Sequence, residues 1–168
     1  GKNVYGKEDT LVTIQIDMML AQRFGMTYID QNNQAVYPYI IHRTSLGCYE
    51  RTLALILEKY AGAMPLWLAP EQVRLLTIAD RHLDYAYEVK AKLEAAGMRV
   101  EIDARNEKIG YKIREAQMQK VPYMLIVGDN EVAEGSVSVR SRKSGDLGAK
   151  SIEEFISLID EEIKTRAL

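Results

Sequence analysis

From His42 to Arg51 the chain reads His-Arg-Thr-Ser-Leu-Gly-Cys-Tyr-Glu-Arg, placing an imidazole, then a glycine, then a carboxylate and a guanidinium. An imidazole can ligate a metal or move a proton, and a guanidinium can stack on a nucleobase and fork onto phosphate. The plainer alternatives are a hydrogen-bonded histidine on a strand and an internal arrangement of Glu50 and Arg51 with other groups. Upstream, Thr13, Gln15 and Asp17 alternate with Val12, Ile14, Ile16 and Met18, so the polar side chains share one strand face that meets either solvent or a polar site. Further on, Arg105, Lys108, Lys112, Arg114 and Lys120 stand against Glu107 and Glu115, and Arg140, Arg142, Lys143 and Lys150 follow. Such a cluster serves either as a phosphate-holding surface or as a solvated helix face and a charged sheet edge that resists aggregation.

Other chemistries lack their residues. One cysteine, Cys48, and two histidines, His42 and His82, cannot build a zinc ribbon or a disulfide framework. There is no P-loop, Rossmann glycine triplet or nucleophile elbow, so a small-molecule binder of doubly wound type has no phosphate-cradling loop to recommend it.

Two sets of elements must position these groups. Leu11 to Met18 has the period of a half-buried strand. Tyr28-Ile29, a turn at Asp30 to Asn33, and the extended run Val36 to Ile41 read as an antiparallel hairpin. Cys48 to Tyr60 has helical spacing and is apolar nearly all round, which predicts a buried helix. These elements are too few to bury one another, so residues 1–63 read as a piece of a larger domain. Ala61 to Pro65, with Pro70 beyond, marks a boundary. Residues 64–168 then alternate: strands at Val73 to Ile78, Met98 to Ala104 and Tyr123 to Val127, helices at Leu83 to Ala96 and Glu107 to Lys120. Ser136 to Arg142 reads as an antiparallel edge strand, and Ser151 to Arg166 as a final helix opened by a Ser151/Glu154 capping box. The fold class expected is α/β: a three-layer, mixed, mostly parallel sheet flanked by helices, preceded by an incomplete antiparallel β and helix piece.

With 168 residues, 47% hydrophobic and 27% charged, the composition is that of a globular chain and excludes a collagen or a disordered tract. Its net charge of -2 carries no global signature for nucleic acid, so RNA binding has to come from a local patch. Neither a long apolar stretch nor a signal peptide is visible, and a cytoplasmic location is the expectation.

Seven runs in the chain together resemble the C-terminal part of the threonyl-tRNA synthetases, a class II aminoacyl-tRNA synthetase family. They are Tyr28-Ile29-Asp30, His42 to Arg51, Tyr60 to Ala63, Trp67 to Pro70, Arg105 to Arg114, Val121 to Met124 and Gly128-Asp129. The resemblance implies that residues 1–63 end a catalytic domain and that 64–168 form an anticodon-binding domain. Arg51 looks like the motif 3 arginine, a catalytic residue that meets ATP, and Thr13 and Gln15 match positions beside threonine and its adenylate. His42 matches a zinc ligand whose companions, like motifs 1 and 2, belong upstream. Asn106, Glu131 and Arg140 match positions that contact anticodon bases. One departure stands out, Asp9-Thr10-Leu11-Val12, where the family pattern enters the strand through glutamine and glycine. By the same resemblance the full-length protein joins threonine to tRNA(Thr) with ATP and Mg²⁺, uses Zn²⁺ to hold threonine, and is a homodimer. The 168-residue chain alone is expected to be inactive and not to hold zinc tightly. The alternative is a stand-alone, non-catalytic RNA-binding accessory protein on the same anticodon-binding fold.

Overall fold

The computed structural model describes residues 1–167, which fall into two compact units divided between Lys59 and Tyr60. In the first, β1 (Ile14–Asp17) leads through the single-turn α1 (Leu20–Arg23) to β2 (Tyr28–Ile29), β3 (Ala35–Val36), β4 (Ile40–Arg43) and α2 (Tyr49–Lys59). β2 pairs antiparallel with β3, whereas β4 pairs antiparallel with β1. The run expected from Val36 to Ile41 is therefore two strands, interrupted at Tyr37-Pro38-Tyr39, because proline cannot donate to a ladder. The apolar face of the β1–β4 pair is bare, with Ile14, Ile16 and Ile41 exposed at 67%, 64% and 68%. α2, expected to be buried, has no buried residue, since two two-stranded pairs are too few to cover it.

The second unit is built on one five-stranded sheet in the order β6-β5-β7-β8-β9. Its elements are β5 (Val73–Thr77), a 3₁₀ turn (Asp80–His82), α3 (Leu83–Ala95), β6 (Val100–Asp103), α4 (Ile109–Met118) and β7 (Tyr123–Val127). α5 (Asp129–Glu134), β8 (Ser136–Ser141), β9 (Gly145–Ser151) and α6 (Ile152–Thr165) follow. β6, β5 and β7 run parallel, and β8 and β9 add two antiparallel pairings. Side chains alternate across the sheet. Val73, Leu75, Leu125, Val127, Val137 and Val139 pack with Val89 and Leu93 of α3 and Phe155 and Ile159 of α6. On the opposite face Leu76 and Met124 pack with Ala116 of α4. The sheet lies between two helical layers, in keeping with the three-layer expectation.

The capping box forms as the sequence predicts: Ser151 Oγ accepts from the Glu154 amide at 3.2 Å, and Glu154 Oε2 accepts from the Ser151 amide at 3.1 Å. β8 is not the edge strand, because β9 continues the sheet beyond it. β9 and α5 had no period in the sequence to announce them. β9 has one large apolar residue, Leu147, and α5 is six residues long.

Lys112, expected either to hold phosphate or to lie on a solvated helix face, is 2% exposed. Its Nζ donates to the carbonyls of Thr77 and Asp103, both at 3.0 Å, with Thr77 Oγ1 at 3.4 Å. These carbonyls close β5 and β6, whose following helices leave for opposite faces, so the strand ends diverge and their last acceptors need a donor. Burial pulls the Lys112 ammonium below its ordinary pKa. Beside it, Arg105 clamps Asp103 through Nε (2.9 Å) and Nη2 (2.6 Å) and reaches Glu115 at 2.6 Å, fixing the start of the β6–α4 loop. The Arg105 guanidinium holds the buried Asp103 carboxyl below the usual carboxylate range.

Replacing Lys112 by methionine keeps the stem and removes the donor, orphaning two buried carbonyls. A loss of about 1 to 3 kcal/mol in urea unfolding is expected, and an unchanged midpoint would mean the lysine is dispensable. Because the folded-state pKa of Asp103 is depressed, its stabilisation is complete above the unfolded value near 4 and disappears as pH falls through the folded value. Asp103→Asn should accordingly flatten the stability profile between about pH 5 and 2, measured by urea midpoints across that range.

Candidate nucleic-acid interface

In the first unit the ladder sets Gln15 directly opposite His42, with Asp17 two residues along the same face. His42 Nε2 lies 3.6 Å from Asp17 Oδ2. Asp17 Oδ1 accepts from the amides of Met19 and Leu20, both at 2.8 Å, and these bonds, Leu20's first, lower its pKa. Thr13 lies just before β1 and accepts from the Thr44 amide through its carbonyl, continuing the ladder. Arg51 is apart from this group in bonding: its Nη1 donates to the Thr10 carbonyl at 2.8 Å and lies 3.9 Å from Asp9. Gly47 permits the turn into α2, because a Cβ there would sit 2.0 Å from the Leu11 carbonyl oxygen, and its φ is +67°. Glu50 takes the Cys48 thiol at 2.9 Å rather than Arg51. Among the described residues no three His, Cys, Asp or Glu side chains converge.

In the second unit the reading candidates stand on three elements. Asn106 is exposed in the β6–α4 loop, and its side chain has no hydrogen bond among the described residues. Glu131 is half-buried near the start of α5, where its Oε2 accepts from the Gly128 amide at 2.9 Å. Both follow the carboxyl ends of parallel strands that flank β5, about 10 Å apart. Arg140 lies inboard on β8, opposite Met124, half-buried and on the sheet face that Met124 shares. Its Nε is buried with no hydrogen-bond partner among the described residues.

The free Arg140 contrasts with its neighbours. Arg74 is bound to Glu71, Arg105 to Asp103 and Glu115, and Arg142 donates to the carbonyls of Lys120, Ala63 and Met64. Lys120 Nζ is spent on the Ala61 carbonyl. The basic cluster foreseen from the sequence thus shrinks at its centre: Lys112, Arg105, Lys120 and Arg142 serve the fold, while Lys108, Arg114 and Lys143 remain exposed.

One cluster had no sequence signal. Asp129, at the start of α5, accepts from Arg81 Nε (2.9 Å) and Nη2 (2.6 Å) and meets His82 Nε2 at 2.9 Å. His82 is buried, and its Nδ1 accepts from the Ala79 amide at 3.2 Å, which places the ring proton on Nε2, toward Asp129. Arg81 first, and His82 second, hold the Asp129 carboxyl well below the usual range. The residues are 47 apart in sequence, and only the pairing of β5 with β7 could have announced them.

Comparison with known proteins gives these arrangements a family. Residues 72–162 match the model of an anticodon binding domain, and residues 2–60 that of the tRNA synthetase class II core domain (G, H, P, S and T). Threonine–tRNA ligases are similar across 98% of the chain, at 56% identity in Clostridium perfringens strain 13 and 53% in Clostridium botulinum strain Hall. The chain spans 26% of the length of these curated relatives. A solved structure, the RNA binding domain of threonyl-tRNA synthetase from Cryptosporidium parvum Iowa II, matches 96% of the chain and 41% of its own at a TM-score of 0.81 and 33% identity. With more than half of its residues inside one family model, and likeness to threonine–tRNA ligases running through both units, the chain belongs to the anticodon binding domain family.

Proposed function

We propose that this chain is the tRNA-reading end of a threonyl-tRNA synthetase, with residues 64–168 as the anticodon-binding domain and 1–63 as the end of the class II catalytic domain. The observation that carries the reading is Arg140, a guanidinium on a sheet face whose buried Nε has no partner among the described residues, while Arg74, Arg105 and Arg142 nearby are bound to carboxylates or carbonyls. A buried donor without an acceptor is costly, and a guanine edge supplies two acceptors in the spacing a guanidinium fits. Asn106 and Glu131 add an amide and a carboxylate for base edges, in the manner by which splayed single-stranded bases are read. Exposed Lys108 and Arg114 on and beside α4 hold phosphates.

The class II core match at residues 2–60 supports the reading of the catalytic portion. In the full-length enzyme, a cytoplasmic homodimer, Arg51 meets ATP, Thr13 and Gln15 line the threonine and adenylate site, and His42 gives one ligand toward zinc. Zinc would supply a Lewis-acid anchor for the threonine hydroxyl, and Mg²⁺ would accompany ATP. On this chain Arg51 would have to leave the Thr10 carbonyl to reach a triphosphate, while Gln15 and His42 already share one face. The stand-alone accessory reading has no observation in its favour, since the relatives that match both units are ligases.

Titration with a tRNA(Thr) anticodon stem-loop and with loops altered at single anticodon bases tests the reading. Arg140→Ala should cost about 1 to 3 kcal/mol and flatten discrimination at one base. Lys108→Ala should weaken all loops alike and lower the salt slope by about one unit. Equal affinity of the unaltered protein for every loop would leave only a basic surface.

A further inference from the structure

Among the described residues the Asn106 side chain has no hydrogen bond to hold it. What fixes its loop lies beneath, at the point where β5 and β6 part. Three residues before Asn106, the Asp103 carbonyl accepts from Lys112 Nζ, and the same ammonium takes the Thr77 carbonyl at the end of β5. Lys112 is on α4, the helix that the Asn106 loop enters, so one side chain ties the strand before the loop, the helix after it and the neighbouring strand. Thr77 in turn precedes the segment that carries Arg81 and His82, which hold Asp129 two residues from Glu131. A mobile Asn106 amide could still meet a base, but it could not reject a wrong one, because discrimination requires donor and acceptor positions fixed to fractions of an ångström.

Resting on the anticodon reading above, we propose that Lys112 is a positioning residue for base discrimination, holding the Asn106 loop in register with the end of β5 without touching RNA. The Asp103–Arg105–Glu115 clamp supports the outer side of the same loop. Arg140 stands on β8, a strand that the Lys112 tie does not touch.

The test compares the unaltered chain, Asn106→Ala, Lys112→Met and the double variant in titrations with the threonine anticodon stem-loop and three loops each altered at one anticodon base. Titrations are run well below each variant's measured melting temperature. The base whose discrimination Asn106→Ala abolishes identifies the Asn106 position. At that base Lys112→Met should lower the discrimination ratio about 5-fold or more, leave the ratio at the base lost in Arg140→Ala within twofold, and add nothing further in the Asn106→Ala background. Should Lys112→Met not fold, Lys112→Gln, which keeps one amide donor for a carbonyl, gives the same comparison. A variant that melts earlier but keeps both ratios makes Lys112 structural only and overturns this assignment. So does an equal fall at every base. Equal binding of all four loops by the unaltered chain overturns the anticodon reading itself, and the assignment with it.

Discussion

Two carbonyl oxygens at the ends of β5 and β6 point into the gap left where the following chains depart to opposite faces of the sheet, and the Lys112 ammonium satisfies both. A cation of the protein's own thus fills the gap between these two strand ends. The carboxyl ends of β6 and β7 lead into the loop of Asn106 and the helix of Glu131, a platform of segments beside this tie. The Arg105 clamp on one side and the Arg81–His82–Asp129 cluster on the other brace the same platform.

Charge in the second unit is largely matched internally, which is why a net charge of -2 says so little about it. Carboxylates take Arg74, Arg81 and Arg105, and backbone carbonyls take Arg99 and Arg142. These bonds fix side chains in place and remove them from the set able to meet phosphate. On the proposed reading, phosphate contact falls to cations without an internal partner among the described residues, such as Lys108 and Arg114.

What the sequence revealed depended on how local the determining forces are. Tyr123 to Val127 was legible because a strand covered on both faces reads as an unbroken apolar run, and Ser151 to Thr165 because its cap and its stripe lie within a few turns. Lys112 was misread because its burial is decided by where α4 lands over two strand ends, and a lysine in a helix window otherwise signals solvent. β9 carries Gly145, Asp146, Gly148 and Lys150, and takes strand form from its partner rather than its own composition. The site divides the same way. Thr13, Gln15, His42, Arg51, Asn106, Glu131 and Arg140 came from likeness to a family, whereas the His82–Asp129 contact needed the strand order itself.

β8 and β9 keep regular register until Val139 pairs with Gly148, after which Arg140 pairs with Asp146 and Leu147 is passed over. Asp146 Oδ1 bridges the interruption by accepting from the Gly148 amide at 2.9 Å, and Gly148 takes a φ of +76°. Beyond it β9 runs straight into Ser151, the cap of α6, so chain length between the interruption and the helix is counted residue by residue. Losing or gaining one residue there would turn Ser151 to the other side of the ribbon and carry the Phe155 and Ile159 face of α6 off the sheet. An inserted residue that leaves both this register and the Ser151 cap in place would have to enter at the turn, around Lys143 and Ser144.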